Sequence, residues 1–232
     1  MMKIEVKNVT KEYLHGDDHT KAMDNVNFEI SGGEFLCVLG RSGSGKTTLM
    51  NVMAGLTLPT SGDVLLDGRD IFAMCDREIS LYRNEIVGCV PQVSSVLANL
   101  TVLDNVRLPF YLAKRKGDPT ERARELLKMV GIEKLCNRLP KRLSGGQLKR
   151  VAIARAMMNE PKFLLVDEPT ADLDAETTVE IMEIFRKLAN EGTGVLMITH
   201  ELETAEYADR LFNMKNGVLE PATKKTSKGK QK

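Results

Sequence analysis

The chain of 232 residues has few of the side chains from which disulfide frameworks are built. It contains four cysteines, at positions Cys37, Cys75, Cys89 and Cys136, and no two of them lie at CxxC spacing. Only three histidines are present. Small secreted domains that are held together by disulfides have a much denser cysteine pattern. We therefore predict four free thiols, as expected for a protein in a reducing cytosol.

Long hydrophobic runs are also absent. The longest apolar stretches, such as residues 35–39 and 163–166, are far shorter than the roughly 18 residues that a membrane-spanning helix needs. The first residues, Met1-Met2-Lys3-Ile4-Glu5, carry charges where a signal peptide would have its apolar core. From these two observations we expect neither membrane insertion nor secretion.

The sequence has no excess of charge of either sign. Lysine and arginine total 33 and aspartate and glutamate total 32, so the formal net charge is +1. A protein that binds nucleic acid through its overall field would be strongly basic, so we expect no nucleic-acid partner. The length is that of one domain, large enough to bury a core without disulfides, and no internal repeat is visible.

Alternating patterns predict the fold class. Apolar and polar residues alternate at 4–9 and 26–30, which predicts two strands, and the polar stretch 15–20 between them predicts a hairpin loop. Short apolar runs at 35–39, 87–90, 163–167 and 195–199 predict buried strands, and residues 64–69 predict a strand, a turn and a strand. Helices are predicted at 47–54, 144–158 and 175–190. Strands that alternate with helices indicate an α/β fold with a mostly parallel core sheet, here preceded by an antiparallel β subdomain.

The middle of the chain has a different character. In residues 101–135 apolar side chains recur at helical spacing, and Pro119 lies at a suitable helix start. We predict one domain over 1–222, with a helical subdomain at about 93–158, and a disordered basic tail at 223–232. The tail contains five lysines and is either simply solvated or attracted to anionic lipid.

A glycine-rich segment directly after the 35–39 strand matches the pattern GxxxxGK[ST]. It consists of Gly40, Arg41, Ser42, Gly43, Ser44, Gly45, Lys46 and Thr47. Glycines let successive backbone N–H groups point at phosphate oxygens, and the following helix contributes the positive end of its dipole. Lys46 would reach the β- and γ-phosphates, and the Thr47 hydroxyl would bind Mg²⁺. A simple tight turn is the alternative, but the flanking strand and helix favour a phosphate loop and a P-loop NTPase fold.

Two acidic residues follow the 163–166 apolar run. Ligands bind at the carboxyl ends of strands in open α/β sheets, which is where Asp167 and Glu168 are expected. Asp167 would hold Mg²⁺, directly or through water, and Glu168 would polarise the attacking water. A strand that merely ends in acidic turn residues is the alternative for an isolated pair of this kind.

The pentapeptide Leu143-Ser144-Gly145-Gly146-Gln147 makes the interpretation specific. It resembles the signature motif of ABC-type ATPases, and further motifs of that family follow the same order along nearly the whole chain. Tyr13 resembles the aromatic residue that stacks on adenine, although an ordinary half-buried strand aromatic would look the same. Gln92 resembles the Q-loop glutamine, residues 171–174 resemble the D-loop, and His200 resembles the switch histidine.

The resemblance implies roles for these residues. It implies that Glu168, His200 and Gln92 act in ATP hydrolysis, and that Thr47, Gln92 and Asp167 hold Mg²⁺. It implies a head-to-tail homodimer that buries ATP, in which the signature of one copy contacts the γ-phosphate held by the other. The implied nucleotide contacts are Tyr13, Gly40, Arg41, Ser42, Gly43, Ser44, Gly45, Lys46, Thr47 and Thr48 from one copy and Ser144, Gly145, Gly146 and Gln147 from the other.

Within the family the chain is most similar to the stand-alone ATPases of the lipoprotein-release, macrolide-efflux and antimicrobial-peptide-efflux group. The resemblance rests on residues 22–28, 40–48 and 100–106. Two residues depart from the group pattern: Pro91 stands where phenylalanine is usual, and Asp172 stands where a small residue or asparagine is more common.

Three functions remain open at this point. The first is an ATPase subunit at the cytoplasmic face of the membrane, which powers a permease that exports or extracts a lipoprotein, peptide or drug. The second is a cell-division ATPase with a membrane partner. The third is a non-transport ABC ATPase that acts on ribosomes or DNA. A single ATPase domain without a heptad run favours transport over the third.

Overall fold

The computed structural model describes residues 1–15, 18–92, 95–171 and 173–223, without the side chains of residues 15 and 18. The strands are β1 Lys3–His15, β2 Asp18–Ser31, β3 Phe35–Leu39, β4 Ser61–Leu66, β5 Arg69–Asp70, β6 Val87–Val90, β7 Phe163–Asp167, β8 Gly194–Thr199, β9 Arg210–Lys215 and β10 Val218–Ala222. The α-helices are α1 Lys46–Met53, α2 Asp76–Leu81, α3 Val102–Leu112, α4 Thr120–Met129, α5 Gly145–Ala156 and α6 Ala175–Asn190.

The strands form two sheets of different kinds. The antiparallel sheet has the order β2-β1-β4-β5, and the larger sheet has the order β10-β9-β3-β8-β7-β6. In the larger sheet β9, β3, β8, β7 and β6 run parallel, and β10 pairs antiparallel with β9 at one edge. The predicted α/β class, with a mostly parallel core sheet and an N-terminal antiparallel sheet, is therefore confirmed.

Alternate residues of the central strands serve two separate layers of the core. Phe35 and Cys37 of β3 pack with the apolar residues of α3 to α6, whereas Leu36 and Val38 pack with α1 and the antiparallel sheet. The division follows from strand geometry, because successive side chains of a strand point to opposite faces of the sheet. Because both faces are covered, all five residues of β3 are buried, as its continuous apolar sequence predicts.

The helical stretch lies between β6 and β7. Helices α3, α4 and α5 contribute Val106, Leu127 and Ile153 to the same apolar cluster as the central strands. The N-cap of α4 is Pro119, as predicted. The boundaries of a helical subdomain at about 93–158 stay a prediction. Residues 224–232 of the basic tail and Asp172 lie outside the described residues.

The predicted hairpin loop was wrong in length. Residues His15–Thr20 were predicted as loop, but β1 continues to His15 and β2 begins at Asp18. Tyr13 pairs with Thr20 and Leu14 with His19. Leu14, His19 and Thr20 are exposed, so these residues keep strand pairing without having to be buried. Four free cysteines are confirmed. In the part of the chain that is described, no helix is long and apolar enough to cross a membrane.

Candidate functional site: a phosphate cleft and a separate signature depression

The glycine-rich segment connects the end of β3 to the start of α1. Gly45 is the N-cap of α1 and has φ of 105°, a left-handed conformation that disfavours other residues. A Cβ atom at this position would lie 2.0 Å from the Ala22 carbonyl oxygen. Only glycine therefore fits between this loop and β2. The first N–H groups of α1 have no acceptor within the helix, as is required of an anion site.

Lys46 lies inside the curve of this loop. The residue is only 7% exposed, and its Nζ donates to the carbonyl oxygens of Gly40 at 2.7 Å and Arg41 at 3.0 Å. The ammonium is also 4.0 Å from Glu168 Oε1. The two carbonyls are neutral and the Glu168 carboxylate is more distant, so positive charge remains available for an anion beside the loop.

Thr47 and Asp167 come together from α1 and the end of β7. The Thr47 hydroxyl donates to Asp167 Oδ2 at 2.8 Å. Burial raises the pKa of Asp167 above its ordinary value, and the hydrogen bond from Thr47 opposes that rise. A hydroxyl and a carboxylate at this distance form an oxygen donor set of the kind that Mg²⁺ prefers, so the residues present fit that metal.

Glu168 has an unusual backbone that directs its carboxylate. Its φ is 47°, in the left-handed region, and its N–H donates to the Ile198 carbonyl at 2.8 Å. The carboxylate turns toward the end of β8, where Oε2 accepts from Thr199 Oγ1 at 3.2 Å and lies 2.9 Å from His200 Nδ1. The hydrogen bond with Glu168 raises the pKa of His200, whose side chain is 61% exposed.

Most of the predicted phosphate-binding residues line one cleft of about 710 Å³. We call it the phosphate cleft. It opens at the carboxyl ends of β3, β8, β7 and β6, where an open α/β sheet binds ligands. Its lining residues are Tyr13, Ala22, Arg41, Ser42, Gly43, Gly45, Lys46, Thr47, Thr48, Gln92, Asp167, Glu168 and His200. Gly40 and Ser44 of the same loop line a different depression, beside the β9–β10 turn.

The signature residues lie elsewhere. Ser144 is the N-cap of α5, and with Gln147 it forms a capping box in which each side chain accepts from the backbone N–H of the other. Ser144, Gly145, Gly146 and Gln147 line a depression of about 510 Å³ together with Leu173 and other residues. We call it the signature depression. None of its lining residues lines the phosphate cleft, so one copy of the chain does not bring the two groups together.

Sequence reasoning missed three residues that support the cleft. Ala22 lies against Gly45, Thr199 holds the Glu168 carboxylate, and Lys149 donates to the backbone of Gln92 and Glu168. Lys149 is five residues after Ser144 in the helix predicted at 144–158, and a lysine is normally a solvated surface residue. No local pattern marks it as buried.

A family model described as "ABC transporter" matches residues 23–171. The macrolide export ATP-binding/permease protein MacB of Chlorobaculum tepidum is 40% identical over 96% of this chain and 34% of its own length. An uncharacterized ABC transporter ATP-binding protein, MJ1508 of Methanocaldococcus jannaschii, is 42% identical over 93% of this chain and 97% of its own length. The chain thus spans about a third of the MacB relatives it matches and nearly all of the shorter ones.

Solved structures agree with these matches. The dimeric structure of MJ0796, a bacterial ABC transporter cassette, superposes with a TM-score of 0.90 at 38% identity and covers 96% of this chain and 99% of its own. A post-hydrolysis dimer of the same cassette with bound ADP and Pi has a TM-score of 0.89 with the same coverage. The chain belongs to the ABC transporter family as an ATP-binding cassette, and it is similar to the cassettes of the macrolide-export group.

Proposed function

We propose that this chain hydrolyses ATP to ADP and phosphate and thereby drives a membrane permease that exports or extracts a lipoprotein, peptide or drug. The observation that carries the ATPase assignment is the cleft itself. Lys46, Thr47, Asp167 and Glu168 come from two separate parts of the sequence and line one cavity with the phosphate loop. The export role rests on similarity to relatives that are named for macrolide export.

Each residue of the cleft has a chemical task in this proposal. The loop N–H groups and Lys46 bind the phosphates, and Tyr13 stacks on adenine. Thr47, Asp167 and Gln92 hold Mg²⁺, which when bound neutralises charge on the phosphate oxygens. Glu168 orients the attacking water and accepts its proton, while His200 stays close to the γ-phosphate and to the Glu168 carboxylate. The remaining loop residues, Gly40, Arg41, Ser42, Gly43, Ser44, Gly45 and Thr48, contact the nucleotide through the loop backbone.

The proposed active form is a head-to-tail homodimer. The N-terminus of α5 is a second anion site, and Ser144, Gly145, Gly146 and Gln147 would contact the γ-phosphate held in the cleft of a second copy. The dimeric cassette structure with the same fold supports this arrangement. We place the assembly at the cytoplasmic face of the membrane, attached to its permease.

The test of the ATPase assignment is Glu168→Gln. The amide preserves the shape of the side chain but cannot accept the proton, so kcat should fall by about 10²–10⁴ while ATP still binds. The variant should then accumulate as an ATP-bound dimer, which size-exclusion chromatography detects. Glu183→Gln, an exposed change on α6, is the control and should keep wild-type turnover. Wild-type turnover in Glu168→Gln would contradict the role of Glu168.

The permease is tested by co-purification. The tagged chain, isolated from gently solubilised membranes of its own cells, should bring down an integral membrane protein in stoichiometric amount. Recovery of the chain with ribosomes or DNA, and without a membrane protein, would instead favour a non-transport ATPase. A membrane partner that carries no transport activity would favour the cell-division role.

A further inference from the structure

One buried cation beneath the phosphate cleft has no role in the steps described above. Lys149 lies on α5 and is only 8% exposed. Its Nζ donates to the Gln92 carbonyl oxygen at 2.6 Å and to the Glu168 carbonyl oxygen at 3.1 Å. Gln92 follows β6 and Glu168 follows β7, so one ammonium group joins the backbones of two separate strand ends to the helix that begins at the signature.

These contacts are strong enough to hold the backbone. Burial of an ammonium group is unfavourable unless hydrogen bonds replace its water, and hydrogen bonds from a charged donor are stronger than neutral ones. Loss of either hydrogen bond would therefore be unfavourable, and Lys149 holds the carbonyls of Gln92 and Glu168 in place.

The Glu168 backbone needs such support. Its φ of 47° is unfavourable for a residue with a Cβ, and it persists only where the surroundings fix it. Its N–H donates to the Ile198 carbonyl at 2.8 Å, and its C=O accepts from the Lys149 ammonium at 3.1 Å and, over a longer distance of 3.4 Å, from the Ala171 N–H. With both sides fixed, the carboxylate reaches Thr199 and His200. Without the Lys149 ammonium only the longer bond from Ala171 would remain on this carbonyl, and the backbone could relax and turn the carboxylate away from these partners.

We propose that Lys149 is a positioning residue that couples the signature end of α5 to the Glu168 carboxylate and to Gln92 of the same chain. Ser144 and Lys149 are rigidly connected because they belong to one helix, so a displacement of the helix start moves the Lys149 ammonium. Engagement of the signature thereby adjusts the two groups that act on the attacking water. This inference rests on the proposed ATPase function. It adds a connection between the signature residues and the groups that act on water, and this connection leaves the phosphate loop unchanged.

The coupling role predicts a split between rate and affinity. Lys149→Met preserves most of the buried volume and removes the charge and the donors, so kcat for ATP should fall about 10- to 100-fold. KM for ATP should change much less than kcat, since Lys46 and Thr47 are untouched. Lys149→Arg, which keeps charge and donors, should recover part of the rate. Lys128→Met on α4, an exposed lysine of the same helical region, is the control and should behave as wild type.

A double-mutant cycle separates positioning from general destabilisation. If Lys149 acts through Glu168, adding Lys149→Met to Glu168→Gln should cost little further rate, because the carboxylate is already gone. If Lys149 is only structural, the two losses should multiply. Lys149→Gln repeats the measurement in case the methionine variant does not fold. The coupling role would be overturned by an unchanged kcat in Lys149→Met, or by a rise in KM that accounts for the lost activity. It would also be overturned if the rate losses of Lys149→Met and Glu168→Gln multiplied in the double variant. An inactive wild type would instead overturn the proposed ATPase function.

Discussion

The phosphate cleft and the signature depression are built in different ways. In the cleft, charged side chains are buried and paired: Lys46 bonds to loop carbonyls, and the Glu168 carboxylate contacts Thr199 and His200. In the depression, the hydrogen bonds of Ser144 and Gln147 satisfy the first turn of their own helix. A Cβ at Gly145 would meet no atom within 4 Å, so the surface there is open.

The difference fits the proposed division of tasks between the two regions. The cleft has the Lys46 ammonium, the Thr47–Asp167 pair and the Glu168 carboxylate already in place, which is the preorganisation that the proposed phosphate chemistry needs. The depression presents the N-terminus of α5 with small residues, and in the proposed function another molecule brings the anion to it. This contrast supports the proposal that hydrolysis, unlike nucleotide binding, needs a second copy.

The largest effect that tests this contrast is expected from Ser144→Arg. The large side chain would fill the signature depression and leave the phosphate cleft unchanged. ATP binding to the monomer should therefore stay close to wild type, while ATPase activity should fall by about 100-fold or more. Calorimetry and a steady-state ATPase assay measure the two quantities. Full activity in this variant would rule out a composite site.

Two further variants sharpen the same test. Thr101→Arg removes a helix N-cap of the same kind on α3, away from the depression, and controls for the lost cap of about 1 kcal/mol. The second variant test mixes Ser144→Arg with Lys46→Ala. In a head-to-tail heterodimer of these two proteins, one composite site carries both substitutions and the other carries neither. The mixture should then have more ATPase activity than either variant alone.

An intermediate effect is expected from Lys46→Ala, which alters the cleft alone. The lysine charge acts on phosphates in the ground state, so affinity for Mg-ATP should fall by roughly 10- to 100-fold together with the rate. Titration calorimetry measures the affinity. Lys187→Ala, an exposed lysine on α6, should bind as wild type does. An unchanged affinity in Lys46→Ala would contradict the assignment of the phosphate loop.

The smallest effect concerns pH and the His200–Glu168 pair. Because Glu168 raises the pKa of His200 above 6.5, the pair stabilises the folded state most when His200 is protonated. Its contribution should be complete below pH 6.5 and disappear as the pH rises through the raised value. Urea unfolding of wild type and His200→Gln should therefore differ slightly at pH 6 and not at pH 9. His19→Gln, on the exposed hairpin, is the control, and a difference that grows with pH would contradict the pairing.

Several elements were predictable because their local pattern has one physical interpretation. The buried strands β6 and β7 have the predicted bounds, since both are short continuous apolar runs covered on two faces. Helix α6 also has its predicted bounds, and Asp174 caps it through a bond to the Thr177 N–H at 2.8 Å. The hairpin was misjudged because exposed strands need no apolar alternation, so polar composition alone did not mark its end.

The sequence by itself determined which groups the cleft would contain. Motif spacing identified Lys46, Thr47, Asp167 and Glu168, because a phosphate loop must follow a buried strand and its acidic partners must end a neighbouring strand. The tertiary structure alone decided how they meet and what supports them. The left-handed turn at Glu168 and the reach of Lys149 to two strand ends depend on the order β3-β8-β7-β6 and on the packing of α5. Such contacts join residues 19 to 57 positions apart, and no local pattern encodes that proximity.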